Sequence, residues 1–503
     1  IQNTVFKVYD ESTQIMLTAV VNALILLPFI LLFSPAGFVG DKYPKNRVMK
    51  IAAWAAFFLT LGITACYYMG WFWAAFAFTF LLAIQSAFYS PAKYGYIKTL
   101  LGKERLGEGN GAVQATTIVA ILFGTLAYSI LFESRYDAAI HHTEADILRA
   151  IAPLGWMLVA NSIFEVIFAY KLPELEKVNH SMRFDWRDYF RGRALRENIV
   201  PILKRPVIRL SIIGLAVFWS VSQVMLATFP AFAKETMGIT DTRVIQGTLA
   251  ASGLGIMLGS IFAGRWSRRH IETGLIPVGA AGITLGLFLI PGIDSPGMHI
   301  LNFMFIGVMG GLFIVPLNSL IQFHAGESEM GKVLAGNNLM QNIAMLSFLA
   351  LTVIGSYIGS SASLLLSLLA IVALVGSFYT VMKLPQSLVR FLLTYLMTHH
   401  YRVVVQGLRN LPESGGVLLL GNHISWIDWA IVQIASPRPI RFVMARNIYE
   451  RWYLTWFFRI FGVVPIQQGA AAKGSLETVA KLLDNGEAVC LFPEGTISRT
   501  GHL

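Results

Sequence analysis

His423 and Asp428 stand five residues apart in "GNHISWIDWA" (421–430), directly after the apolar run "GVLLL". An imidazole beside a carboxylate can take a proton from a hydroxyl. The carboxylate then holds the tautomer and stabilises the imidazolium that forms. The spacing excludes a shared helical face, because five residues turn roughly 140° past a full circle at 3.6 residues per turn. The pair must straddle a strand-to-helix turn. Ser425 and Asp428 make an S-x-x-D capping pattern, which puts Asp428 in the first helical turn. Alone, the pair reads equally well as a capping Asp and an incidental loop His. A second group shifts that balance: "LFPEGTISRTG" (491–501) follows another apolar run and supplies Glu494, Gly495, Thr496 and Arg499.

The elements that would position these groups are short. "RVVV", "GVLLL", "RFVM" and "AVCLF" read as buried strands alternating with helical stretches, which predicts an α/β domain over 401–503. Before it, Pro385 ends the preceding apolar span. Residues 384–400 then form an apolar helix too short to cross a bilayer, with Arg390 and two His near its ends, and the expectation is an interfacial helix. Within the domain, Trp452, Tyr453, Trp456, Phe457 and Phe458 lie near Arg446, Arg451 and Arg459. Core packing explains such a cluster, but aromatic rings flanked by Arg suit the headgroup layer better.

The rest of the chain is built for lipid. Apolar residues make up 55% of it and charged residues 13%, with a mean hydropathy of +0.61; soluble domains carry about 25% charge. Eleven candidate spans lie near 15–36, 50–70, 72–90, 112–132, 150–170, 207–232, 245–263, 273–292, 299–321, 334–357 and 361–382. Residues 1–8 read as the tail of a twelfth whose start is truncated. The net charge of +11 does not point to nucleic acid, because the basic residues fall in alternate loops: 41–50, 93–107, 171–209 and 264–270. That alternation makes the basic set cytoplasmic and favours anionic lipid headgroups. The segment 171–206 divides the spans into halves 1–170 and 207–383, and the tail after 383 falls on the cytoplasmic side. Cys66 and Cys490 lie in different regions, so no disulfide is expected, and no His or Cys spacing matches a zinc site.

The halves carry a repeat. Asn110 and Gln114 in "EGNGAVQ" match Asn337 and Gln341 in "AGNNLMQ" at the same spacing, and Pro91 and Pro316 each sit near the end of a span. Repeated halves place a transporter's substrate site at their interface. Each Asn or Gln taken alone reads as helix-packing glue; for the repeated Asn110/Asn337 set, packing and transport are equally good readings. Ionisable residues inside the spans are few, Glu165 being the clearest, which suits a zwitterionic headgroup better than an ion relay.

"GFVGDKYPKNR" (37–47) resembles the signature loop of the major facilitator superfamily, with Gly37, Asp41, Lys42, Lys45 and Arg47 fitting and Pro44 standing where Gly is usual. There the Asp would pair with a Lys or Arg of the next helix, a contact that breaks and reforms as the halves rock. "YSPAKYG" (89–95) with "GNGAVQATTIVAILFG" (109–124) is similar to the bacterial lysophospholipid transporter branch. "QNTVFK" (2–7) resembles that branch's first-span motif, with Asn3 kept and Gln2 in place of an Asp. "NHISWID" and "FPEGT" together resemble the glycerolipid acyltransferase family, most closely the module of 2-acylglycerophosphoethanolamine acyltransferases. That family has an Arg where "GVVPIQQG" has Gln467 and Gln468, so either another cation, Arg446 or Lys473, stands in or the phosphate is bound more weakly. Its final motif is missing, so the domain reads as incomplete at its end.

The resemblance implies an all-α polytopic membrane domain of twelve spans and a cytoplasmic α/β acyltransferase domain in a bacterial inner membrane. It implies that lysophospholipid, with lysophosphatidylethanolamine foremost, is moved to the cytoplasmic leaflet and reacylated. The acyl thioester would be a co-substrate on acyl carrier protein or coenzyme A, with no bound cofactor. His423 would be the general base and Asp428 its partner; Glu494, Gly495, Thr496 and Arg499 would contact the phosphate region; Gln2, Asn3, Asn110, Gln114, Asn337 and Gln341 would serve transport. Three other readings stay open: an inactive regulatory acyltransferase domain, a membrane domain that only anchors the enzyme, and a transporter for another amphiphile.

Overall fold

The computed structural model describes residues 25–498 apart from short stretches at 138–139, 141, 191–192, 240–241, 269, 402, 408–409, 413, 437 and 468–471. Gln2, Asn3, Gln468 and Arg499 lie outside the described residues. The chain forms two compact units. One runs to Ile271 and resumes over Val278–Ser377; the other joins Glu272–Pro277 to Phe378–Leu503.

The first unit is helical. Ile25–Leu31 is bent by 66° against α1 (Phe33–Lys42). There follow α2 (Lys45–Met69), α3 (Phe72–Leu101), α4 (Leu106–Glu133), α5 (Glu144–Tyr170), α6 (Pro206–Met237), α7 (Val244–Trp266), α8 (Leu275–Gly292), α9 (Pro296–His324), α10 (Met330–Tyr357) and α11 (Ala362–Lys383). Among the described residues, ten helices are long and apolar enough to cross a membrane, and eleven if the bent pair is one span. Each candidate span from 50–70 onward has a helix behind it, whereas residues 15–24 of the first candidate and residues 1–8 of the expected twelfth lie outside the described residues.

The helices outrun their apolar windows. Residues 41–50 and 93–107, expected as loops, are mostly helix, and the links shrink to Tyr43–Pro44 and Gly102–Arg105. Backbone hydrogen bonding does not stop where the apolar run ends, and Lys98 in the last turn of α3 is buried, its Nζ donating to the Ala325 carbonyl at 2.6 Å. Pro91 and Pro316 consequently fall inside α3 and α9, not near their ends.

Lipid tails are as apolar as Leu, so helix association depends on close contact instead of hydrophobic burial. The α7–α9 contact shows how. Gly255 and Gly259 face Gly307 and Gly311, and a Cβ on Gly255 would lie 2.1 Å from the Met304 carbonyl oxygen. Large apolar side chains such as Phe58, Phe123 and Val375 stay on the outside.

Beyond Glu272–Pro277 and the end of α11, the second unit continues with α12 (Pro385–His400). Then come β1 (Val417–Leu420), α13 (Asp428–Ala435), β2 (Ile440–Ala445), α14 (Arg446–Tyr449), α15 (Thr455–Phe461), β3 (Val464–Ile466), α16 (Ala472–Asp484) and β4 (Ala488–Leu491). The strands are parallel in the order β1-β4-β2-β3, with Leu419 beside Cys490 and Phe442 on the other flank of Cys490. Ile440, Phe442, Phe458, Phe461 and Cys490 form the core beneath it. Each fully buried Phe contributes about 1.5–3 kcal/mol against exposure. The helix α12 packs its Val389 on that core, and the Gln386 amide donates to the Ile460 carbonyl. Arg390 of α12 is buried, and Glu272 at 3.3 Å supplies the partner that a buried cation needs.

Candidate functional site

The strand order explains the meeting of distant residues. β1 and β4 are parallel neighbours, so the loops leaving their carboxyl ends emerge side by side, where ligands bind in open parallel sheets. His423 follows β1 and Glu494 follows β4. The His423 main-chain N–H donates to Glu494 Oε2 at 2.9 Å, and the Ser498 N–H donates to the His423 carbonyl at 2.6 Å. The second loop turns at Gly495, whose φ of +66° lies in the left-handed region that disfavours side chains.

The imidazole is fixed on both sides. Its ring stacks on Phe492 with centroids 4.7 Å apart, and Nδ1 lies 2.9 Å from Asp428 Oδ2. The same oxygen accepts the N–H groups of Ile424 (2.7 Å) and Ser425 (2.8 Å). Burial alone would raise the Asp428 pKa. The hydrogen bonds from Ser425, His423 and Ile424 outweigh it and hold the carboxyl below its ordinary value. An ionised carboxylate only accepts, so Nδ1 carries the proton and Nε2 is the free base nitrogen.

Asp428 opens α13, in its expected place, but the capping box does not form. Its carboxylate reaches back to Ser425, whereas the Ser425 hydroxyl accepts from Ile427 at 3.4 Å, not from Asp428. Recruiting the carboxylate to the imidazole draws it into the turn. Glu494 clamps the His423 backbone through Oε2; its Oε1 is buried without a hydrogen-bond partner among the described residues.

His423 lines a cavity of about 750 Å³ together with Trp426, Arg446, Glu450, Gln467 and Thr496, and Asp428 is buried behind the ring. Of the two cations proposed to replace the missing Arg, Arg446 lines this cavity and Lys473 does not. The aromatic segment divides its duties. Phe457 and Phe458 join the core, while Trp452, Tyr453 and Trp456 are exposed, Trp452 at 87%. Cys490, in the neighbouring strand, is buried, which pushes its thiol pKa up to about 11 and leaves it inert.

In the membrane unit, Asp41 does not pair with a Lys or Arg of the next helix, as the loop pattern predicts. Its carboxylate accepts the N–H groups of Gly331 and Lys332 at the start of α10, in the opposite half. A helix N-terminus offers unpaired donors and partial positive charge, so it competes well with a solvated side chain. The approach needs glycine: a Cβ on Gly37 would lie 2.9 Å from the Lys332 Cα. Lys45 and Arg47 turn to Glu176 and Glu174 of the central linker.

The repeated amides behave differently in the two halves. Asn110 on α4 and Gln322 on α9 exchange hydrogen bonds of 2.9 and 2.8 Å, and Asn110 also reaches Ser319. Asn337 accepts from Gln341 on its own helix, and the crossing contact is made by Asn338, which donates to Ser90 on α3 at 3.0 Å. Gln114 is buried. Gln322 and Asn338 were not singled out from sequence; the available signal was an amide inside an apolar span.

A membrane unit of two repeated helical halves, joined to a small parallel α/β domain with a His–Asp dyad, defines a secondary-transporter fold with an appended transferase domain. Comparison with known families agrees. Residues 8–348 match the Major Facilitator Superfamily and residues 402–503 match the Acyltransferase family. The chain belongs to the Major Facilitator Superfamily and carries a C-terminal acyltransferase domain. It is 29% identical over 340 residues to the Lysophospholipid transporter LplT of Salmonella paratyphi B and of Salmonella typhimurium, covering 66% of this chain and 78% of each relative. The fold resembles the outward conformation of the transporter FucP (TM-score 0.55, 11% identity, 71% of this chain and 89% of that one). It also resembles a bacterial homologue of the iron transporter ferroportin in its outward-facing state (TM-score 0.53, 13% identity, 72% and 89%).

Proposed function

We propose that the protein imports lysophospholipid, chiefly lysophosphatidylethanolamine, to the cytoplasmic leaflet of a bacterial inner membrane and reacylates it there. The likeness to lysophospholipid transporters supports the cargo, and the alternation of basic loops supports the orientation. The observation that carries the enzymatic half is the 2.9 Å contact between His423 Nδ1 and Asp428 Oδ2 at the wall of a cavity.

In this reading the free glycerol hydroxyl of the lysolipid sits at His423 Nε2. The base takes its proton as the oxygen attacks the carbonyl carbon of an acyl thioester. The tetrahedral intermediate collapses by breaking the C–S bond. The new C–O ester bond remains, and the thiolate leaves with the proton returned from the imidazolium. Asp428 stabilises that cation. The Gly495–Thr496 turn and Arg446 hold the phosphate region, with Arg499 as a further cation. The exposed Trp452, Tyr453 and Trp456 and the helix α12 rest at the headgroup layer. Covalent joining raises the local concentration of imported lysolipid at the enzyme.

The test is acylation by the full chain in mixed micelles, with labelled lysophosphatidylethanolamine and either acyl carrier protein or coenzyme A as the thioester carrier. Diacyl product with one of the carriers supports the reading; none with either contradicts it.

A further inference from the structure

The site contains an ion pair that proton transfer does not use. Arg446 opens α14 directly after β2, and Glu450 follows its last residue. Arg446 Nε donates to Glu450 Oε1 at 2.8 Å, and both side chains are more than half exposed, at 51% and 62%. Both line the cavity that holds His423. A surface pair at this helical spacing contributes almost nothing to stability, so fold stability is a weak account of it.

We propose that Arg446 and Glu450 form a receptor for a zwitterionic headgroup, with Arg446 taking the phosphodiester and Glu450 the primary ammonium. The inference rests on the acyltransferase reading above and names the feature that selects its acceptor. A phosphoethanolamine group carries an anion and a cation joined by an ethylene bridge, the mirror of a cation and an anion one helical turn apart. A guanidinium presents paired donors that match phosphate oxygens, and a carboxylate accepts from an ammonium's three donors. In the unliganded cavity the two charges satisfy each other, so neither is left bare. When the headgroup enters, each exchanges its partner for an opposite charge on the ligand. An anionic headgroup with no ammonium leaves Glu450 facing a like charge, which is discrimination by repulsion as well as attraction. Among the described lining residues Arg446 and Glu450 are the only Lys, Arg, Asp or Glu, and Gln467 and Thr496 are neutral.

The experiment uses the full chain in micelles, with lysophosphatidylethanolamine and lysophosphatidylglycerol as competing acceptors and kcat/KM read for each. The wild type should favour the ethanolamine acceptor. Glu450→Gln should lower the ratio of the two constants about tenfold, and Glu450→Lys should lower it further or invert it, since tenfold corresponds to one charge interaction of about 1.4 kcal/mol. Arg446→Gln should lower kcat/KM for both acceptors. Unfolding midpoints close to that of the wild type show that the variants fold. A wild type without preference, or a ratio within about twofold of wild type in both Glu450 variants, overturns the proposal. A wild type that acylates neither lipid overturns the acyltransferase reading beneath it, which is a separate result.

Discussion

Asn110 and Gln322, from opposite halves of the membrane unit, grip each other by two reciprocal amide hydrogen bonds while both are buried. Such a pair holds the halves together at one end and must open if that end is to admit or release cargo. Asn110→Ala strands the Gln322 amide, a loss of about 1–3 kcal/mol. The predicted outcome is a lower unfolding temperature and reduced lysolipid uptake in proteoliposomes. Replacing both residues by Leu removes the stranded group, so it should recover much of the stability without recovering uptake. A double-mutant cycle on thermal unfolding measures the coupling.

Gly331→Ala places a methyl 2.5 Å from the Gly37 carbonyl oxygen and 2.9 Å from the Asp41 nitrogen. Neither backbone can yield without moving α1 from α10, so the Asp41 cap on Gly331 and Lys332 should be lost. Uptake should fall several-fold, while acylation of lysolipid supplied in detergent continues. Parallel uptake and acylation assays on one preparation check this.

Asp428→Asn keeps the shape of the turn but not the charge that orders the imidazole. The acylation rate should drop roughly 10²- to 10⁴-fold. The depressed Asp428 pKa gives a pH statement with a definite sign. Its contribution to folding is present above the ordinary carboxylate range and is lost only as pH falls through its lowered native value. Above the ordinary carboxylate range the wild type should therefore be more stable than Asp428→Asn, and this carboxylate contribution should disappear only in stronger acid. Chemical denaturation across pH reads it directly.

What the sequence discloses and what it hides divide along physical lines. Hydropathy and charge alternation expose the spans, because the bilayer imposes them on composition. The His423 and Glu494 groups stand out because unusual residue types follow strand-like runs, and a parallel sheet brings such loops together. Asp41 misleads because its partners are the N–H groups of Gly331 and Lys332, and backbone donors leave no mark on residue identity. Gln322 is hidden for another reason: its partner lies in the other half, and only helix packing decides that they meet. The matching spacings of Asn110 and Asn337 suggest equal roles, yet one crosses to another helix and the other bonds within its own. The helix lengths were underestimated because hydrogen bonding continues after hydropathy ends.

The most direct measurement follows labelled lysophosphatidylethanolamine added outside proteoliposomes that enclose the acyl donor, with the acyltransferase domain on the inside. For the wild type the account predicts inward movement and conversion to diacyl lipid. For His423→Ala it predicts the same initial uptake with the label remaining as lysolipid. Conversion persisting in that variant, or uptake lost along with it, would contradict the division of labour between the two units.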